Sequence, residues 1–147
     1  MWYEVPELPA DQLERVYDEW IVWAMHVAAN PVVDVLAHPG AEMASIGAVH
    51  EFGGKVLEDF TKLLHVCKKN NTAYEINQSL AAKIPSAYLE SYTAVLERAV
   101  EIGVTFSLSS DAHKLDRIGK MPWVEKMVEH LGIGPDQLFH PKKKITQ

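Results

Sequence analysis

The run SLSSDAH at 107–113 places Asp111 and His113 two residues apart on the lip of a β-like segment. A carboxylate and an imidazole so placed are donors suited to a divalent ion such as Zn, Mn or Fe. His38 closes another β-like run in DVLAHPG, and Glu75 and Asn77 close a third in TAYEIN. Such an ion could lower the pKa of a bound water and clamp phosphate oxygens. Each residue also has a plainer role. His38 could be a hydrogen-bonded residue near a loop, Glu75 and Asn77 could satisfy backbone groups, and Asp111 could cap a turn. Three strand-like runs ending in the same kind of residue favour a shared site.

Other chemistries are poorly supported. Ser109 or Ser110 with His113 lacks a Gly-x-Ser-x-Gly elbow, and GIGPDQ follows a helical run rather than preceding one, so it is no phosphate loop. The single cysteine, Cys67, lies at helical spacing behind Leu57, Phe60 and Leu64 and is expected in the core, not as a nucleophile. His26, His65 and His130 fall within helical runs, while His50 and His140 lie near loops and are weaker candidates.

The elements that must position the strand ends follow from periodicity. Leu13, Val16, Trp20, Trp23 and Val27 recur at helical spacing between 11 and about 30, with Asp11 and Glu14 resembling a capping box. A strand is expected from Val32 to the Pro39-Gly40 stop, then a Gly/Ala-rich loop and a helix over about 54–69 ending in Lys68 and Lys69. A second strand spans 72–77. Ser86 is placed to cap a helix carrying Tyr88, Tyr92, Leu96 and Val100, which Gly103 ends. VTFSLSS is the third strand, and a last helix runs over about 123–131 to Gly132. This is βαβαβα with a leading helix, implying parallel strands and right-handed crossovers. The strand ends His38, Asn77 and Asp111 are 39 and 34 positions apart by subtraction, as in the units of a (β/α) barrel, with chain enough for about half of one.

Alternation splits the strands into two faces. Val33, Val35 and Ala37, with Tyr74, Ile76, Val104, Phe106 and Leu108, form an apolar face fit for helices. Asp34, Leu36 and His38, with Ala73, Glu75, Asn77, Thr105, Ser107, Ser109 and Asp111, form a small, polar and acidic one, expected to line a wet barrel lumen.

With 147 residues, 48% hydrophobic and 23% charged, the chain is expected to be a single globular domain over 1–147. A net charge of -6 argues against a nucleic-acid backbone as partner, and the only basic run, KKK at 142–144, reads as a solvated terminus. The acidic, proline-broken start is not a secretory signal, no apolar run approaches a membrane span, and one cysteine fits a reducing, cytoplasmic setting.

At DVLAHPG, YEINQS and SLSSDAH, in this order and spacing, the chain resembles the PHP (polymerase and histidinol phosphatase) superfamily, nearest its histidinol-phosphatase-like and metal-dependent phosphoesterase branch. The resemblance spans about 32–119. It implies a distorted (β/α)7 barrel, here a partial (β/α) barrel of the PHP type with about three parallel βα units, and hydrolysis of a small phosphate ester. It implies metal-ligand roles for His38, Asp111 and His113, and places Glu75 and Asn77 behind them, lining the site. Lys114 and Arg117 are candidates to meet the phosphate, or are solvated charges at a helix entry.

Family members begin with a strand ending in His-x-His and supply further ligands before the HPG block, and nothing in this chain matches those. A multinuclear site is therefore expected to be incomplete here. A half-barrel also exposes its lumen and sheet edges, so a homodimer or an N-terminal-half partner is expected. Two functions stay open: a metal-dependent phosphoesterase of PHP type, and a non-catalytic remnant of that fold serving as a binding or assembly module.

Overall fold

Alternating β-like and amphipathic runs require helical crossovers between parallel strands. The computed structural model, which describes residues 8–141, has that order. Helix α1 (Ala10–Ala29) leads into β1 (Val35–Leu36), short α2 (Ala41–Ser45) and α3 (Gly54–Asn70). There follow β2 (Ala73–Asn77), short α4 (Leu80–Lys83), α5 (Ser86–Ile102), β3 (Phe106–Ser109) and α6 (Pro122–Leu131). The three strands form one parallel sheet in the order β1-β2-β3. The basic run at 142–144 and the chain before Leu8 lie outside the described residues. Among the described residues no helix is long and apolar enough to cross a membrane.

Helix ends obey backbone chemistry more than side-chain capping. Gly103 and Gly132 close α5 and α6 in the left-handed conformation, as expected, and Asn71 does so for α3. The expected caps at the other ends are not formed. Pro9 and Pro85 are the N-cap residues of α1 and α5, with no side-chain cap bond, so Asp11 and Ser86 sit inside the first turns. Asp11 there still faces the positive end of the helix dipole. The loop expected before α3 contains α2, a single turn that begins directly after Gly40.

The face of α1 is rotated from the expected stripe. Tyr17, Ile21, Ala24 and Ala28 are its buried residues, and Trp23 is 60% exposed. Neighbouring residues lie about 100° apart round a helix, so a stripe centred on Ala24 turns Trp23 outward. Ala24 and Ala28 are small, which lets α1 approach α3 closely. Trp20 bridges the two helices, its ring 5.8 Å from that of Phe60. Phe52 then stacks edge-on against both Phe60 and Tyr92, linking α3 to α5. Cys67 is fully buried, and burial pushes its thiol up to about 12, as a core cysteine requires.

Register sets the faces of the sheet. Leu36 pairs with Tyr74, and Tyr74 with Phe106, so these three share the apolar face beneath α3 and α5. The hydroxyl groups of Tyr74 and Tyr92 meet there at 3.1 Å. Glu75 pairs with Ser107 and Asn77 with Ser109 on the opposite, polar face, as expected. For β1 the expectation is corrected. Leu36 joins the apolar face and Val35, paired with Ala73, the polar one. A shift of one residue exchanges faces, and β1 is only two residues long, so its pattern was too short to fix its phase. Beyond β3, Phe139 N–H donates to the Phe106 carbonyl at 2.7 Å, so the segment after α6 covers that edge.

One buried charge lies between α1 and α3. Asp59 accepts from Lys62 at 2.9 Å, pairs with Lys55 at 3.2 Å, and receives a long contact from the Tyr17 hydroxyl at 3.5 Å. Burial alone would raise its carboxyl, but the hydrogen bonds and charges of Lys62 and Lys55 outweigh that and hold it below the ordinary 3.8. A carboxyl depressed in the folded state stabilises above its unfolded value and loses that contribution as pH falls through the folded one. Asp59→Asn is therefore expected to lose about 1 kcal/mol at pH 7, the lysines being largely exposed. Urea titrations should show the difference from the parent shrinking as pH drops below 3.8.

Candidate active site at the strand ends

Parallel strands deliver their C-terminal ends to one rim, where α/β folds place their chemistry. Here the end of β2 lies between those of β1 and β3. Strands are spaced about 4.8 Å apart, so the outer two ends are separated by about 10 Å. His38 follows β1, Glu75 and Asn77 belong to β2, and Asp111 and His113 follow β3.

Among the described residues, three non-glycine positions have positive φ: His38 (32°), Asn71 (57°) and Asp111 (47°). Asn71 caps α3, whereas the other two are the sequence-nominated ligands on either flank of β2. That conformation is unfavourable for a residue with a Cβ and persists where surroundings hold it.

The holding groups come from β2 and the turn after it. Glu75 is 8% exposed, and its Oε2 accepts the His38 backbone N–H at 2.7 Å and the Asn77 Nδ2 at 2.9 Å. Asn77, 1% exposed, accepts the Ser79 N–H on its Oδ1 at 2.8 Å, a local turn typical of Asn. The Ser79 hydroxyl donates to Asp111 Oδ2 at 2.6 Å. Asp111 N–H donates to Ser109 Oγ at 3.0 Å, which engages that serine structurally. Gln78 completes the block. Its N–H donates to the Ser109 carbonyl, and its Oε1 accepts the N–H groups of Trp123 and Val124, capping α6.

His113 is exposed, with Nδ1 2.9 Å from the Asp111 carbonyl. A carbonyl can only accept, so the contact is a hydrogen bond when Nδ1 carries a proton, and in the neutral ring Nε2 then has a lone pair for an outside partner. The His38 ring is half-exposed, yet its Nδ1 is shielded. Glu42 Oε1 lies 2.5 Å from it, without the alignment of a hydrogen bond. The two side chains are thus in contact without that bond. Lys114 and Arg117 are exposed on the turn leaving the site. Of the histidines in helices, His130 lies 3.8 Å from Glu97, and His26 and His65 are exposed.

The donor types, imidazole and carboxylate, suit a divalent ion in kind. In number they fall short, because among the described residues no three His, Cys, Asp or Glu side chains converge on one point. Ser79, Gln78 and Glu42 were not nominated from the sequence. For Ser79 a signal exists in Asn77-x-Ser79, the spacing of an Asn turn.

Gly40 explains the end of the HPG block. Its φ is +91°, and a Cβ there would lie 2.8 Å from Phe60 Cζ and 3.2 Å from Phe52 Cε1. The backbone after His38 thus passes directly over the aromatic core.

Comparison with known proteins gives distant relatives. A probable phosphatase of Thermoanaerobacter sp. (strain X514) is 27% identical over 132 residues, covering 90% of this chain and 47% of its own length. DNA polymerase/3'-5' exonuclease PolX of Bacillus subtilis (strain 168) is 32% identical over 92 residues, 63% of this chain and 14% of its own. A probable phosphatase of Vibrio parahaemolyticus is 30% identical over 82 residues, 55% of this chain and 33% of its own. The chain thus spans about half the length, or less, of these relatives. No family model and no solved structure matches. At low identity, the chain is similar to proteins named probable phosphatases.

Gly40→Ala is expected to destabilise the fold by about 1–3 kcal/mol, from left-handed strain plus overpacking. The shift of the urea midpoint measures it.

Proposed function

We propose that this chain is the C-terminal side of a metal-dependent phosphatase of PHP type, a partial (β/α) barrel whose rim takes a small phosphate ester. The observation that carries this reading is that His38 and Asp111, each left-handed, flank a polar block on β2 at the C-terminal rim. The names of the relatives agree with it.

In the net reaction water attacks phosphorus, the bond to the ester oxygen breaks, and the alcohol leaves with a proton. His38, Asp111 and His113 would each contribute a donor to Zn, Mn or Fe ions, the other donors of each ion lying outside this set. When bound, such an ion supplies positive charge and makes water more acidic. This chain offers His113, whose Nδ1 lies against the Asp111 carbonyl, and an Asp111 carboxylate steadied by Ser79. Lys114 and Arg117 would draw the phosphate to the rim through charge. The remaining donors would come from a partner, either a second copy or a separate N-terminal half.

A second reading, a binding or assembly module on the same fold, is favoured by the lack of three converging donors among the described residues. Hydrolysis of p-nitrophenyl phosphate with added Mn2+ or Zn2+, together with metal analysis, separates the two. The enzyme reading expects turnover that falls about 10–100-fold or more in Asp111→Ala and in His113→Ala. No turnover, with less than about a tenth of an equivalent of metal retained, would establish the module instead.

A further inference from the structure

The two left-handed strand ends are not held independently. Asn77 uses one end of its amide on each side: Nδ2 donates to Glu75 Oε2, which holds the His38 N–H, while Oδ1 accepts the N–H of Ser79, whose hydroxyl holds Asp111. The path from His38 to Asp111 therefore runs through four hydrogen bonds with one side chain at its centre. Asn77 is 1% exposed and Glu75 8%, so water competes poorly for these bonds. An amide is the group that can donate to a carboxylate and accept from a backbone N–H at once. Aspartate offers no donor towards Glu75, and a serine offers a single short atom for both tasks.

We propose that Asn77 is a positioning residue that locks the conformations of His38 and Asp111 to each other, so that the two flanks of the rim are presented as one pre-set pair. Glu75 on this account acts through Oε2, which holds the His38 backbone and Asn77. The functional meaning rests on the phosphatase reading, but the mechanical coupling does not. In the unliganded protein the residue governs the geometry of both ends, and in the site it governs how well they act on one ligand.

The test compares the parent with Glu75→Ala, Glu75→Gln, Ser79→Ala and Asn77→Ala by backbone-amide NMR of the whole chain, with circular dichroism melts to show that each variant folds. Glu75→Ala should shift the His38 amide and raise its hydrogen exchange at least tenfold, with a smaller shift relayed through Asn77 to Asp111. Glu75→Gln, which keeps an acceptor oxygen, should restore His38. Ser79→Ala should shift Asp111 most, with a smaller shift relayed through Asn77 to His38. Asn77→Ala should disturb both ends together. A folded Asn77→Ala whose His38 and Asp111 amides match the parent overturns the proposal, as does a Glu75→Gln that behaves like Glu75→Ala. Mn2+ added alone gives a second readout. Its paramagnetic broadening of the His38 and Asp111 signals should need about 10–100-fold more metal in Asn77→Ala. If the folded parent shows no broadening, the metal reading fails, and the amide shifts still decide the coupling.

Discussion

Strand β2 is bonded along both edges and buried at every residue from Ala73 to Asn77, and the positions of the other elements are referred to it. Its register with β1 and β3 puts Tyr74 and Ile76 against the helices and Glu75 and Asn77 on the other face. A buried strand usually reads as a continuous apolar run. Here two of five residues are polar, and burying them is tolerable because each is hydrogen-bonded. The constraint is that the polar side chains on β2 must find partners: Glu75 takes the His38 backbone and Asn77, and Asn77 takes the turn after β2, whose Ser79 reaches Asp111.

This dependence links the core to the rim. Helices α3 and α5 hold Tyr74 through Phe60, Phe52 and Tyr92, which fixes the phase of β2. The phase of β2 fixes where Glu75 and Asn77 point, and they in turn fix two strained strand ends. Gly40 is part of the same chain of cause, since the turn after His38 must clear Phe60. Gln78 ties β3 and α6 to the same block. Packing energy from one face of the sheet is thus available to support backbone strain at its end.

The two edges of the sheet differ. The outer edge of β3 is covered by the segment around Leu138 and Phe139. Among the described residues β1 is paired on one side, by β2. The chain covers 47% of the length of one relative named a probable phosphatase. The exposed Trp23 on α1 lies on the helix that packs beside β1 and α3.

Periodicity alone determined the order of strands and helices, the glycine ends of α5 and α6, the core role of Cys67 and the polar strand ends, because these depend on local spacing and backbone chemistry. The residues His38, Glu75, Asn77, Asp111 and His113 were legible as a group since they end successive parallel strands. The facing of β1 was not legible, because two residues cannot establish a period, and its phase came from pairing with β2. The rotation of α1, which buries Tyr17, Ile21, Ala24 and Ala28, was visible only in the packed helix. The roles of Ser79, Gln78 and Glu42, and the left-handed conformations of His38 and Asp111, were decided only by tertiary structure. Hydrogen bonds between strand ends 32 to 37 positions apart have no local sequence period to announce them.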